Sequence, residues 1–187
     1  MLFRSSPRTG NGGKVPDKSL AQNRTWTATI TTNRGAITAE LYGDKAPQAV
    51  ASFVTLAQQG YFDQTKCHRL VPSISTLQCG DPTATGNGGP GYSFGPIENA
   101  PTDNKYPQGT LAMARVSGQA SSMGSQFFMV YGDTTIDSDS AGGYTVFGKI
   151  TSGLDVLQAI AGEGTVQVSQ DLTAPVHDVI IEGVKTQ

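Results

Sequence analysis

The chain has 187 residues, of which 15% are charged and 23 are glycine, with a net charge of −2. That length supports one core without help from metal or disulfide. The charge is too low for a disordered chain, and there is no basic surplus for binding nucleic acid.

Residues 1–25 come first. Arg4, Arg8, Lys14, Lys18 and Arg24 are set against Asp17 alone, among Ser, Gly, Pro and Asn. This predicts a flexible basic tail, read first as a solvated linker and second as a membrane-surface or partner contact. Met1 to Pro7 lack the apolar stretch of a secretory signal. No apolar run reaches the roughly 18 residues of a membrane-spanning helix.

The folded domain is expected over 26–187. Residues 26–32 and 36–42 alternate apolar and polar around Asn33-Arg34-Gly35, the pattern of a β-hairpin. Asp44 before Pro47 marks a helix start, Val50, Phe53, Val54 and Ala57 recur at helical spacing, and Gly60 stops the run. Short apolar runs follow at 67–71, 74–79, 110–114, 126–130 and 144–150, separated by glycine-rich loops. A second helix fits 154–160, ended by Gly162, and a last strand fits 176–184. Many short strands, two helices and no regular β-α alternation indicate an antiparallel barrel or sandwich.

Several motifs carry less than they suggest. Gly86-Asn87-Gly88-Gly89-Pro90-Gly91 has dinucleotide-type spacing, but Pro90 and the residues after it cannot open the required helix. Residues 137–142 begin like a calcium loop, yet Ala141 falls where an oxygen ligand belongs and Gly148 takes the place of the final Glu. His68 and His177 are too few for a metal site, and adjacent Cys67 and His68 point to opposite faces of a strand. No metal or cofactor is expected. No Gly-x-Ser-x-Gly elbow is present. Cys67 and Cys79 are either a bridged pair on neighbouring strands or two buried thiols, and the spacing leaves both open.

The remaining constellation is Cys67-His68-Arg69, Gln78-Cys79-Gly80-Asp81, Gly109-Thr110-Leu111-Ala112-Met113-Ala114, Gly124-Ser125-Gln126-Phe127-Phe128 and Val146-Phe147-Gly148. In this order the five motifs resemble the cyclophilin family of peptidyl-prolyl cis/trans isomerases, from about Thr27 to Val184. The Cys-His-Arg and Gln-Cys-Gly-Asp forms resemble a bacterial branch whose members are often exported or membrane-anchored. The resemblance implies a mainly β fold, a closed eight-stranded antiparallel barrel capped by two helices. It implies Arg69 as the catalytic residue, with Gln78, Ala114, Arg115, Gln126, Phe128, Ile136 and Tyr144 binding substrate and Met113 near the proline ring. The expected partners are proline-containing peptides and folding proteins, with reduced cyclosporin affinity because the family's groove tryptophan is missing. A monomer is expected. The alternative is a non-catalytic proline-peptide-binding or chaperone module on the same barrel. An extracytoplasmic location is favoured over a cytoplasmic one.

The residue types suit that reaction. Twisting an X-Pro bond destroys amide resonance, a barrier of about 18–20 kcal/mol. No bond to substrate breaks, so no nucleophile or cofactor is needed. The twisted state exposes a lone pair on the prolyl nitrogen, and a fixed cation donating to it lowers the barrier selectively. An arginine is always charged and donates from a rigid fork.

Overall fold

Alternation along the first two strands sets the frame. In the computed structural model, which describes residues 5–187, β1 (Thr25–Thr32) buries Trp26, Ala28 and Ile30. Strand β2 (Gly35–Tyr42) buries Ile37, Ala39 and Leu41 in the same core. The two pair antiparallel from Thr25 with Tyr42 to Thr32 with Gly35, across a two-residue turn. Thr32 closes that turn, its Oγ1 accepting from the Arg34 amide and donating to the Gly35 carbonyl.

Helix α1 (Pro47–Gln58) begins with proline in its first turn, where a missing N–H costs nothing. Asp44 does not cap it. The free amides of Gln48 and Ala49 donate instead to the Glu98 carboxylate at 3.0 and 3.1 Å, so the cap comes from a distant loop. Phe53 on α1 is the hub of the core, with ring centroids 5.1–5.4 Å from Phe62, Phe127 and Phe147.

The chain continues through β3 (Thr65–Lys66), β4 (Arg69–Val71), β5 (Thr76–Cys79), β6 (Lys105–Tyr106), β7 (Thr110–Met113), β8 (Phe127–Val130), β9 (Thr134–Thr135) and β10 (Val146–Ser152). Helix α2 (Leu154–Gly162) follows, then β11 (Thr165–Ser169), β12 (Leu172–Pro175) and β13 (Ile180–Thr186). The main sheet runs β3-β13-β1-β2-β10-β7-β8-β5-β4. Its two end strands, β3 and β4, are halves of one strand interrupted at Cys67 and His68. Counting them once leaves eight strands in a barrel that meets itself, since the Cys67 amide continues the pairing to Val179 at 2.8 Å. All pairs are antiparallel. Helix α2 buries Leu157 and Ile160. Strands β6 and β9, and β11 and β12, form two separate ribbons outside the barrel. The sequence reading missed both, and its last strand begins late, at Ile180.

The N-terminal segment corrects the tail expectation. Arg4 and the three residues before it lie outside the described residues. From Ser5 onward the segment lies against the barrel. Ser6 and Gly10 donate backbone bonds to the Pro82 and Pro90 carbonyls at 3.2 and 2.9 Å. Arg8 donates to the carbonyls of Tyr61 and Asp63 at 2.8 and 2.6 Å, so its charge caps a turn of the fold. Gln48 on α1 donates to the Pro16 carbonyl, and the buried Trp26 indole N–H reaches Ala21. Arg24 lies 3.7 Å over the Trp26 ring. Asp17 accepts from the Ser19 amide and starts a 3-10 turn at Lys18–Ala21. Composition alone suggested solvation; these backbone contacts have no compositional signature.

Candidate active site

Strand parity builds the site. On β5, Leu77 and Cys79 belong to the barrel core. On β8, Phe127 and Met129 do, and on β7, Leu111 and Met113. The intervening residues face outward: Phe128, Val130 and Ala112 form a second apolar cluster with Tyr106, and Ala114, Ile136, Tyr144 and Val146 pack against it. Register aligns one row across four strands, because Arg69 pairs with Gln78, Gln78 with Phe128, and Phe128 with Ala112. A guanidinium, an amide and a phenyl ring are thereby neighbours on the outer face.

The row edges a cavity of about 140 Å³ lined by Arg69, Gln78, Ala114, Arg115, Phe128, Ile136 and Tyr144, together with Ile74 and Thr76. Seven predicted site residues therefore meet at one notch. Gln126, the eighth, lines an adjoining cleft of about 370 Å³ that shares Gln78, Ala114 and Arg115 with the notch. Met113 does not join them. It is 2% exposed, pairs with Phe127 and points into the core, because it sits one residue out of phase with Ala112 and Ala114.

Ile74 and Thr76 were not anticipated as site residues. Between Pro72 and Gln78 a 3-10 turn (Pro72–Ile74) is followed by Ser75 in the left-handed region at φ 50°. The Ser75 carbonyl accepts from the Tyr131 amide at 2.9 Å, which fixes the turn and lets Ile74 border the notch.

The polar groups are chained. Arg69 Nη1 donates to Gln78 Oε1 at 3.4 Å, Gln78 Nε2 to Gln126 Oε1 at 2.8 Å, and Gln126 Nε2 to the Gly86 and Gly88 carbonyls at 2.8 Å each. Among the described residues no carboxylate pairs with Arg69. Its remaining donors border a notch walled by Phe128, Ile136 and Tyr144 on one side and by polar groups on the other. Gly80, at φ 92°, permits the close crossing behind this chain, since a Cβ there would lie 2.2 Å from the Ser125 carbonyl oxygen. The glycine-rich 86–91 loop wraps a side chain: buried Asp81 accepts from Thr83, Thr85, Gly86 and Gly88. Burial alone would push the Asp81 carboxyl up, but those hydrogen bonds outweigh it and hold it below the usual carboxylate range.

Tyr144 forms one wall. Its amide donates to the Tyr106 hydroxyl at 2.8 Å, and its ring meets Phe128 edge-on at 5.4 Å. Behind Arg69, His68 is 2% exposed, and among the described residues its ring nitrogens make no close hydrogen bond, with Gln126 beside the ring. Burial pulls its pKa below the ordinary 6.5, against the opposing pull of Asp81. Cys67 and Cys79 are joined by a disulfide. The bridge lies on the core side of the strands that carry Arg69 and Gln78. The calcium-like loop is occupied internally, since both Asp139 carboxylate oxygens accept from Arg115 at 2.9 Å.

Comparison with known proteins agrees with this architecture. Residues 27–186 match the family described as cyclophilin type peptidyl-prolyl cis-trans isomerase/CLD. A probable peptidyl-prolyl cis-trans isomerase B of Mycobacterium tuberculosis is 42% identical over 193 residues, covering 95% of this chain and 58% of that protein. The chain thus spans 58% of the length of this mycobacterial relative. A peptidyl-prolyl cis-trans isomerase of Helicobacter pylori is 41% identical over 79% of this chain and 86% of its own. The crystal structure of a Cryptosporidium parvum cyclophilin type isomerase superposes with a TM-score of 0.71 at 29% identity, over 88% of this chain and 98% of that one. The same protein in the presence of the dipeptide Ala-Pro gives a TM-score of 0.69 at 30% identity, over 86% and 98% of the two chains. Barrel, outward row and family match converge: the chain belongs to the cyclophilin-type peptidyl-prolyl cis-trans isomerase family.

Proposed function

We propose that this chain accelerates cis/trans rotation about X-Pro bonds in peptides and folding proteins, with Arg69 as the catalytic residue. The observation that carries the reading is a guanidinium with no carboxylate partner among the described residues, at the edge of a notch floored by Phe128. The proline ring rests on Phe128 between Tyr144, Ile136 and Ile74. Arg69 donates to the prolyl nitrogen as its lone pair becomes available, which favours the twisted amide over the planar one. Gln78 holds the guanidinium in line, anchored in turn by Gln126. The backbone at Ala114 and Arg115 pairs with the extended peptide.

The disulfide supports an oxidising, extracytoplasmic location and the bacterial Cys-His-Arg, Gln-Cys-Gly-Asp grouping. The deciding experiment is exchange spectroscopy on an Ala-Pro peptide. Arg69→Ala should slow catalysed exchange about tenfold or more while the fold persists. Wild-type turnover in that variant would remove Arg69 from the mechanism. Binding by the wild-type protein without accelerated exchange would leave a peptide-binding module instead.

A further inference from the structure

We propose that the Arg115 and Asp139 side chains form a clamp that positions Tyr144 as the fixed wall of the notch. Arg115 then serves the site as a positioning residue through its side chain as well as through its backbone. The effect on turnover rests on the isomerase reading; the geometry does not.

Residues 137–143 form the loop between β9 and β10 that delivers Tyr144. Its own regular pairing is a single isolated bridge between Asp139 and Gly142, and it ends in Gly142-Gly143. Such a segment does not hold an aromatic ring in place by itself. At its far end the Tyr144 amide donates to the Tyr106 hydroxyl and the Thr145 carbonyl accepts from the Met113 amide; the loop itself is tied down by one guanidinium. The Arg115 side chain is 1% exposed and pairs bidentately with Asp139. It also donates to the Gly142 carbonyl at 2.5 Å and, through Nε, to the Gly143 carbonyl at 3.1 Å. Asp139 reaches back across the same gap, accepting from the Gly118 amide at 2.9 Å and the Ser117 hydroxyl at 3.1 Å. The contact therefore binds the loop to residues 115–118, just past the end of β7.

The ring that follows sits against the clamp. The Arg115 guanidinium lies 4.8 Å from the Tyr144 ring centroid, and Phe128 meets the ring at 5.4 Å. The phenol ring is thus held between the guanidinium and the floor of the notch. Arg115 also borders both cavities, together with Gln78 and Ala114. A planar five-donor fork is needed for this set of partners, and lysine cannot supply it. Removing either partner strands a buried charge or loosens the loop.

The test uses Asp139→Asn, which keeps shape and loses charge, and Arg115→Lys, which keeps charge and loses the fork. Tyr144 ring resonances are recorded by NMR without peptide, and KM and kcat are measured with an Ala-Pro test peptide, with Arg69→Ala alongside. The clamp predicts shifted and broadened Tyr144 resonances in both variants. KM should rise about fivefold or more while kcat stays within about twofold, the signature of lost ground-state positioning. Unaltered Tyr144 resonances with wild-type KM would overturn it, whatever happens to the melting temperature. If the wild-type protein does not catalyse exchange, the isomerase reading fails and the ring resonances alone decide the clamp. If Asp139→Asn does not fold, Arg115→Lys supplies the same readouts.

Discussion

Phe127 and Phe128 are adjacent in sequence and belong to different parts of the molecule. Phe127 is fully buried against Phe53, Phe62 and Phe147. Phe128 is nearly as buried, at 6% exposed, but its neighbours are Tyr106 and Tyr144 and its open side borders the notch. Strand alternation alone separates the two roles. The core side is closed by aromatic contacts on every flank. The outer side keeps space and a cation at its edge. Phe127→Ala should therefore cost about 3–5 kcal/mol in denaturant unfolding, because a cavity opens at the centre of the aromatic cluster. Phe128→Ala should lose less stability but weaken binding of a proline peptide. Equal stability losses, with unchanged peptide titration in Phe128→Ala, would erase the distinction.

The disulfide sharpens the same contrast from the core side. Cys67 and Cys79 close a separation of 12 residues, and both are fully buried. Between them the chain runs out along β4 and back along β5, carrying Arg69 and Gln78 on the opposite face. Constraining the unfolded chain over a loop of this size is worth about 2–4 kcal/mol. The double variant Cys67→Ala with Cys79→Ala should lose that amount in urea unfolding. An unchanged midpoint and slope would show that packing around the two positions, not the covalent bond, holds β4 to β5.

How much of this was readable depends on how local the determinant is. The β1-β2 hairpin was, because alternation and the turn fix both strands and their register. The outward row was readable through the resemblance, which named Arg69, Gln78 and Phe128, while alternation by itself separated only Phe127 from Phe128. The same parity argues against Met113, whose neighbours Ala112 and Ala114 take the outer face. Other features depend on residues far apart in the chain. Glu98 caps α1 from 50 positions downstream of Gln48. Arg8 finds its carbonyls 53 and 55 positions away. Ile74 reaches the notch only because Ser75 accepts a positive φ, a conformation its side chain does not announce. The β11-β12 ribbon has no inward face along β11, so it leaves no burial pattern to detect.

His68 separates the two sides most finely, since it lies between them and titrates. Its imidazole is buried, and burial, helped by the Arg69 charge, draws its pKa below 6.5 against the pull of Asp81 and Gln126. In the unfolded chain the ring protonates near its ordinary value. As pH falls below about 6.5 the unfolded state therefore takes up a proton that the folded state refuses, and stability drops until the folded pKa is also passed. Asp81, also held low, adds a loss only at more acidic pH, below its ordinary 3.8. The two windows are distinct. Between about pH 6.5 and 5 the melting temperature of the wild-type protein should fall, and in His68→Gln it should fall less. Loss of activity in the window should track the folded fraction. Parallel melting curves for the wild type and His68→Gln across that range would move the titration to another residue.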